Sequence, residues 1–299
     1  MRPSAEPSPS LWQRLASGQP LISDGATWTY LRRHGLASWE CPELFNVTYP
    51  EVVQAMAQDY FTAGADMVLT NSFGGNRFLL GKYGYGDRVR ELNMLATQHA
   101  RRQATSAHYV IGSVGPTGEF LHPLGRVSDT EMLDVFMEQM TALEEGGADG
   151  VVIETMRLVE EAVLAIQAAK EHTRLVVMAT MVFEKRLDGF VTMTGARPQE
   201  IIRELQAAGA DVVGANCGTG IDDMVELGRQ IRDATDGYTL IHANAGIPSI
   251  KDAEIVYPES PDYMAPRFKA LADMGITIIG GCCGTGPDHI RALTHALRG

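Results

Sequence analysis

The stretch Gly146-Gly147-Ala148-Asp149-Gly150-Val151-Val152-Ile153 contains a pattern that occurs four times along this 299-residue chain. In each copy, a glycine follows an amphipathic stretch and leads into a short apolar run. Glycine commonly ends a helix because it adopts the left-handed conformation without strain, so each copy predicts a helix end followed by a buried strand. The other copies lie at residues 63–69, 208–213 and 273–279.

Four further apolar runs alternate with these copies, at residues 21–24, 109–113, 175–180 and 239–244. All the runs are continuous rather than alternating, which indicates strands covered on both faces, as in a parallel sheet. The segments between them carry helical periodicity. Eight strands alternating with helices over about 250 residues predict an α/β fold of the (β/α)8 TIM barrel class. A doubly wound open sheet is the alternative, but no G-x-G-x-x-G motif follows the first run.

Composition and charge argue against several classes of function. The formal net charge of −12 does not suit a nucleic-acid partner, because phosphate binding needs a basic face. No apolar run approaches the roughly 20 residues that a membrane helix needs. Four cysteines are too few for a disulfide framework and fit a reducing compartment, so we expect a cytoplasmic protein. The sequence leaves the oligomeric state open.

The N-terminus is polar and proline-rich and lacks the apolar segment of a signal peptide. We therefore predict a disordered tail over residues 1–12. The rest of the chain, residues 13–299, is predicted to form one barrel domain.

Polar or metal-binding residues stand at the end of every predicted strand. In such barrels the active site lies at the carboxyl ends of the strands, so these residues are expected to converge. In chain order they are Asp24, Asn71, Ser113, Glu154, Thr180, Cys217, Asn244, Cys282 and Cys283.

Three of these residues, Cys217, Cys282 and Cys283, predict a metal site on one side of the barrel rim. No fourth cysteine or histidine stands beside them, and a zinc site with three protein ligands keeps one position open for substrate. An all-sulfur set also favours zinc over magnesium or calcium. The alternative is that they pack as small buried hydrophobes, but adjacent cysteines between glycines are poor core filler.

An electron-rich zinc ion of this kind is best suited to binding a substrate thiol and keeping it deprotonated. The natural reaction is alkyl transfer to that sulfur, which needs no nucleophile from the protein. Glu154 and Asp24 could hold the ammonium group of an amino-acid thiol, or could be solvated or structural carboxylates. Asn244 could fill the open zinc position, or could pin a loop through side-chain hydrogen bonds.

In these strand-end residues and cysteine motifs, the chain resembles the homocysteine S-methyltransferase family. The family includes betaine–homocysteine methyltransferase and the homocysteine module of cobalamin-dependent methionine synthase. The resemblance covers residues 21–297, and its most specific motif is the cysteine pair with its upstream partner. The matching motifs are Asp24-Gly25-Ala26-Thr27, residues 69–74, residues 112–119, Glu154-Thr155, and residues 214–218, 244–248 and 280–285.

The resemblance implies that the cofactor is Zn²⁺, held by the three cysteines, with Asn244 as a ligand in the substrate-free state. It implies that Asp24 and Glu154, with the Gly25–Ala26 backbone, hold homocysteine. Further candidates for substrate binding are Asn71, Ser113 and Asn216. Trp28 departs from the pattern, since relatives commonly have a small residue there; an indole could narrow the pocket or reshape the entry of the donor.

The first hypothesis is therefore a zinc-dependent S-methyltransferase of methionine biosynthesis. Its partners would be homocysteine and a small onium donor of the betaine, S-methylmethionine or dimethylsulfoniopropionate type. The alternative is a stand-alone homocysteine-methylating subunit that takes its methyl group from a separate methyl-corrinoid protein. A lesser alternative is a non-enzymatic module that binds zinc or thiols.

Overall fold

The computed structural model describes residues 9–251 and 254–299. Its strands are β1 (Leu21–Ile22), β2 (Met67–Leu69), β3 (Tyr109–Val114), β4 (Gly150–Met156), β5 (Val176–Met181), β6 (Glu184–Arg186), β7 (Gly189–Val191), β8 (Val212–Asn216), β9 (Tyr238–Ala243), β10 (Ser249–Lys251), β11 (Glu254–Val256) and β12 (Ile278–Gly281). Its helices are α1 (Leu11–Leu15), α2 (Thr27–Arg33), α3 (Phe45–Thr48), α4 (Pro50–Thr62), α5 (Arg77–Lys82), α6 (Val89–Gln103), α7 (Asp129–Gly146), α8 (Val159–His172), α9 (Pro198–Ala207), α10 (Ile221–Ala234), α11 (Pro261–Asp273) and α12 (Pro287–Arg298), with a 3₁₀ turn at Pro42–Leu44.

Eight of the strands form one parallel sheet in the order β1-β12-β9-β8-β5-β4-β3-β2. Its two outer strands also meet. The Asp66 amide donates to the Ile22 carbonyl over 2.7 Å, and the Asp66 carboxylate accepts the Ile22 amide at 2.8 Å. The sheet therefore closes on itself as a barrel, which confirms the predicted (β/α)8 fold and excludes the open doubly wound alternative. The remaining strands pair as two antiparallel hairpins, β6 with β7 and β10 with β11.

The recurring glycine pattern does what the sequence predicts. After α7, Gly147 adopts a left-handed conformation with φ 98°, and its amide donates to the Glu144 and Leu143 carbonyls. Only glycine adopts this conformation without strain. The glycines of the other three copies also have positive φ, and each is followed by a barrel strand.

The lower part of the barrel is filled by apolar side chains that point inward from the strands, including Ile111, Met178 and Leu240. Helix α1 closes the lower end, because Leu11 and Leu15 belong to the same cluster. Leu11 and Trp12 are thus helical, and the domain begins before the predicted boundary at residue 13. Of the tail predicted over residues 1–12, residues 1–8 lie outside the described residues.

Within the described ranges, no helix combines the length and apolar character that crossing a membrane requires.

Candidate metal and substrate site

A cavity of about 350 Å³ opens at the carboxyl ends of the barrel strands. Its buried floor includes Leu69, Ser113, Glu154 and His242, and its wall includes the three cysteines of the predicted metal site. The more exposed mouth is lined by the aromatic side chains Trp28, Phe73 and Tyr83. None of the described residues that line it is lysine or arginine.

The cysteine sulfurs come together as the sequence predicts, with the Sγ atoms of Cys217, Cys282 and Cys283 all within 4.8 Å of one another. Strand β9 lies between β8 and β12 and fixes both cysteine loops. The Cys217 amide donates to the His242 carbonyl at 3.1 Å, and the Cys282 amide donates to the Ala243 carbonyl at 2.7 Å. Cys217 has a left-handed backbone with φ 59°, which is uncommon for a residue other than glycine. The strained turn aims its sulfur at the other two.

The sulfur cluster fits a metal cation. Hydrogen bonds from the thiols of Cys282 and Cys283 lower the pKa of Cys217, whereas contact with Cys217 raises the pKa of both partners. Three thiolates this close together repel one another, so a cation among them favours the ionised form of all three. The Asn244 side chain lowers the pKa of Cys217, and its buried Oδ1 has no hydrogen-bond partner among the described residues. An unpartnered oxygen near Cys217 suits the additional ligand that the sequence predicts.

Glu154 lines the cavity floor, and both of its carboxylate oxygens accept hydrogen bonds from side chains of other barrel strands, β3 and β8. Ser113 Oγ donates to Oε1 at 2.5 Å and Asn216 Nδ2 donates to Oε2 at 3.2 Å. Asn216 is fixed in turn, because its Oδ1 accepts from the Thr155 amide and the Thr180 hydroxyl, each at 2.7 Å. Burial raises the pKa of Glu154 to about 7. Ser113 and Asn216 therefore orient Glu154, and Asn216 is not itself part of the cavity lining.

Asp24 lies behind the cavity wall rather than on it. Its Oδ2 accepts the Leu69 amide at 2.7 Å, which helps to join β1 to β2. Burial raises the pKa of Asp24 to about 8, with a smaller contribution from the charge of Glu154. The adjoining backbone of Gly25 and Ala26 does line the cavity, and the Ala26 amide already donates to the Thr285 carbonyl at 3.3 Å.

Asn71 lines the cavity, but its side-chain NH₂ group forms hydrogen bonds within the protein. Nδ2 donates to the Pro42 carbonyl at 2.7 Å and to Asn46 Oδ1 at 3.1 Å. Only Oδ1 of Asn71 is then available to a ligand. The predicted role of Asn71 in substrate binding stays a prediction.

Sequence reasoning does not single out two cavity residues, His242 and Glu43. Burial lowers the pKa of His242 to about 4, and Glu43 accepts the Gly74 amide at 2.7 Å. The signal for His242 is its place in β9, two residues after Leu240, which shares its inward face. No comparable pattern in the sequence marks Glu43.

The buried Asp24 carboxyl predicts a pH-dependent penalty on stability. Its pKa is about 8 in the fold and near 3.8 in an exposed chain, so the fold holds a proton that the unfolded chain releases. The stability that this proton gives is complete below about pH 4 and is lost as the pH rises through about 8. We expect Asp24→Asn to raise the melting temperature, relative to wild type, by on the order of 5 °C more at about pH 8.5 than at about pH 5.

Thermal unfolding at the two pH values measures this difference, with Asp134→Asn, a change at an exposed helix position, as the matched control. An Asp24→Asn variant whose advantage over wild type does not grow with pH would show that Asp24 is ionised in the fold throughout this range.

Comparison with known proteins identifies the family of the chain. The sequence profile of the family described as homocysteine S-methyltransferase matches residues 21–297. The chain belongs to this family. The predicted family and its enzyme class are thereby confirmed.

Two curated members, both methionine synthases, are similar to the chain over nearly all of its length. The one from Mycobacterium leprae (strain TN) is 33% identical over 297 residues, which cover 93% of the chain and 24% of the relative. The one from Mycobacterium tuberculosis (strain ATCC 25618 / H37Rv) is 31% identical over 298 residues, covering 95% of the chain and 25% of the relative. The chain thus spans about a quarter of the length of these curated relatives.

Among solved structures, the homocysteine methyltransferase MmuM from Escherichia coli shares the fold. Its metallated form superimposes with a TM-score of 0.77 at 20% identity, covering 94% of this chain and 97% of MmuM. Its apo form gives a TM-score of 0.70 at the same identity and coverage. The barrel prediction is therefore supported by experimental structures of this homocysteine S-methyltransferase fold.

Proposed function

We propose that this member of the homocysteine S-methyltransferase family transfers a methyl group to the thiol of homocysteine and releases methionine. The observation that carries the proposal is the meeting, in one cavity, of three sulfur ligands and a buried carboxylate. Sulfur ligands suit a thiol substrate, and a carboxylate suits the ammonium group of an amino acid. Homocysteine carries both groups.

Cys217, Cys282 and Cys283 would hold Zn²⁺, with Asn244 beside them. When bound there, Zn²⁺ supplies the charge that keeps a sulfur ligand, including a substrate thiol, deprotonated at neutral pH. Glu154, oriented by Ser113 and Asn216, would bind the ammonium group and fix the direction of the substrate. The homocysteine sulfur forms a bond to the methyl carbon of the donor, and the electron pair of the broken bond leaves with the donor.

The lining of the cavity mouth favours a small onium compound as the donor. Trp28, Phe73 and Tyr83 line the mouth, and the faces of aromatic rings attract quaternary ammonium and sulfonium groups. The carboxylate of Glu43 also lines the cavity. With no lysine or arginine among the described lining residues, the cavity is electrostatically suited to a cation.

A separate methyl-corrinoid protein is the second candidate donor, because the barrel rim exposes large apolar side chains. They lie in the connections that follow β1, β3, β5 and β9 and include Trp39, Phe120, Leu124, Leu187 and Ile250. Leu124 and Ile250 are 83% and 81% exposed. Exposed apolar surface of this kind marks protein interaction sites. The similarity to methionine synthases, which are about four times as long, also favours a donor carried on another module.

A donor panel tests the proposal. Zinc-loaded protein is incubated with homocysteine and, in separate reactions, glycine betaine, S-methylmethionine, dimethylsulfoniopropionate or a methyl-corrinoid protein, and methionine is quantified by mass spectrometry. We expect methionine with an onium donor, and methionine with methyl-corrinoid alone would support the second candidate. Zinc binding with no methyl transfer from any donor would contradict the proposed activity and favour a zinc- or thiol-binding module.

A further inference from the structure

Several polar side chains point into the barrel at the level of the cavity floor. One of them, His242, has a ring nitrogen without a hydrogen-bond partner among the described residues. Its neighbours at this level are linked to one another: Ser113 and Asn216 donate to Glu154, and Thr180 donates to Asn216. His242 is only 2% exposed, and its Nε2 has no hydrogen-bond partner among the described residues. A buried polar atom without a partner is uncommon and destabilises a fold, so it calls for a functional reason.

The position of His242 points to a ligand. The side chain lines the same cavity as Glu154 and the three cysteines. A Cβ atom placed on Gly280 would lie 3.1 Å from the ring and 2.8 Å from Ser23, so glycine at this point leaves room for the imidazole next to β1. The imidazole is thus part of the cavity floor and packs closely against Gly280.

The charges around the ring decide which part of a ligand it meets. Glu154 lies on the same floor and Asp24 lies just behind the wall. The Glu154 carboxylate attracts a positive group to this end of the cavity and repels the carboxylate of an amino acid, whereas Asp24 keeps its proton below about pH 8. An α-ammonium group has three N–H donors, more than the Glu154 carboxylate alone is placed to accept.

We propose that the imidazole of His242 accepts a hydrogen bond from the α-ammonium group of homocysteine and, with Glu154, orients the substrate. This inference rests on homocysteine being the substrate, as proposed above. A ring nitrogen that accepts this bond carries no proton, which places the imidazole proton on the other nitrogen. His242 is then a substrate-binding residue that the family motifs of the sequence do not mark.

The test compares two thiols that differ only in the ammonium group, homocysteine and 4-mercaptobutanoate. Their binding to zinc-loaded protein is measured by isothermal titration calorimetry for wild type, His242→Phe and His242→Gln. Phenylalanine keeps a planar ring without an acceptor, whereas glutamine restores an acceptor. We expect His242→Phe to weaken homocysteine binding by roughly tenfold to a hundredfold and to leave 4-mercaptobutanoate binding unchanged. His242→Gln should recover part of the loss.

Thr239→Val is the matched control, since Thr239 also lies on β9 and has a buried oxygen without a partner, but faces away from the cavity. It should bind both thiols as wild type does. Equal weakening of both thiols in His242→Phe, or no weakening in either His242 variant, would overturn the inference. Wild-type protein that fails to bind homocysteine at all would instead contradict the proposed function.

Discussion

Replacing Cys282 by alanine is expected to remove the bound metal and to lower the rate of methionine formation by at least about a thousandfold. Two sulfur ligands hold zinc far more weakly than three, and without the metal the substrate thiol keeps its proton at neutral pH. Several kcal/mol of barrier lowering are lost with the metal, and each 1.36 kcal/mol is a tenfold change in rate. The zinc content should fall from about one per chain to a small fraction, measured by inductively coupled plasma mass spectrometry.

The barrel itself should stay folded in this variant, because Cys282 lies on the rim and not in the apolar core. Cys41→Ser is the control. Cys41 is a free cysteine outside the cluster, its Sγ lies 3.3 Å from Glu43 Oε2, and serine keeps a hydrogen-bond donor there. It should retain zinc and activity. Full activity of Cys282→Ala after thorough removal of zinc would show that the sulfur cluster does not activate the substrate.

Glu154→Gln is expected to raise the apparent KM for homocysteine by roughly tenfold to a hundredfold while leaving zinc bound. Glutamine keeps nearly the same shape and can still accept a bond from Ser113, but it removes the charge that pairs with the substrate ammonium. Charge-assisted hydrogen bonds contribute about 1.5–3 kcal/mol each, which gives this range. Initial rates across homocysteine concentrations, together with metal analysis, measure both effects.

Glu161→Gln supplies the control for burial. Glu161 is also buried, and its Oε1 accepts from the Thr117 amide at 2.7 Å and from the Thr117 hydroxyl at 2.6 Å, but it lies on α8 and does not line the cavity. Its variant should keep the wild-type KM for homocysteine. A normal homocysteine saturation curve in Glu154→Gln would place the amino-acid end of the substrate elsewhere.

Cys282→Ala and Glu154→Gln test different halves of the site, and their predicted effects on zinc content and on the KM for homocysteine distinguish the two roles. Cys282→Ala removes the metal and with it the reactive form of the sulfur. Glu154→Gln leaves the metal in place and weakens binding of the ammonium group of the substrate. A protein in which both variants lose zinc would have a site whose carboxylate supports the cysteines, through Asn216 Nδ2, which donates to Glu154 Oε2 at 3.2 Å and to Cys282 Sγ at 3.7 Å.

Much of the fold follows from the sequence because its signals are local. A helix that ends at a glycine such as Gly147 and then runs into Val151-Val152-Ile153 predicts a buried strand without knowledge of any other segment. Once eight such units are counted, the barrel brings all strand ends to one rim. The cysteines of β8 and β12 could be predicted to meet for the same reason. The sequence could not predict that helix α1 closes the lower end of the barrel. The apolar opening that Leu11 and Leu15 fill exists only once the sheet has closed.

The sequence by itself therefore determined the barrel, the residue types of the candidate metal site and the place of that site on the rim. Only the tertiary structure decided which polar residues face the cavity. Asn216 and Glu154 are 62 residues apart and form a hydrogen bond because strand tilt and register bring them together. The same register turns His242 inward and leaves its Nε2 without a partner among the residues that the structure describes. Strand register also places Asp24 behind the cavity wall, and it brings the side-chain amide of Asn71 into a hydrogen bond with the Pro42 carbonyl. These outcomes depend on strand register across the whole barrel, which no single segment of the chain encodes.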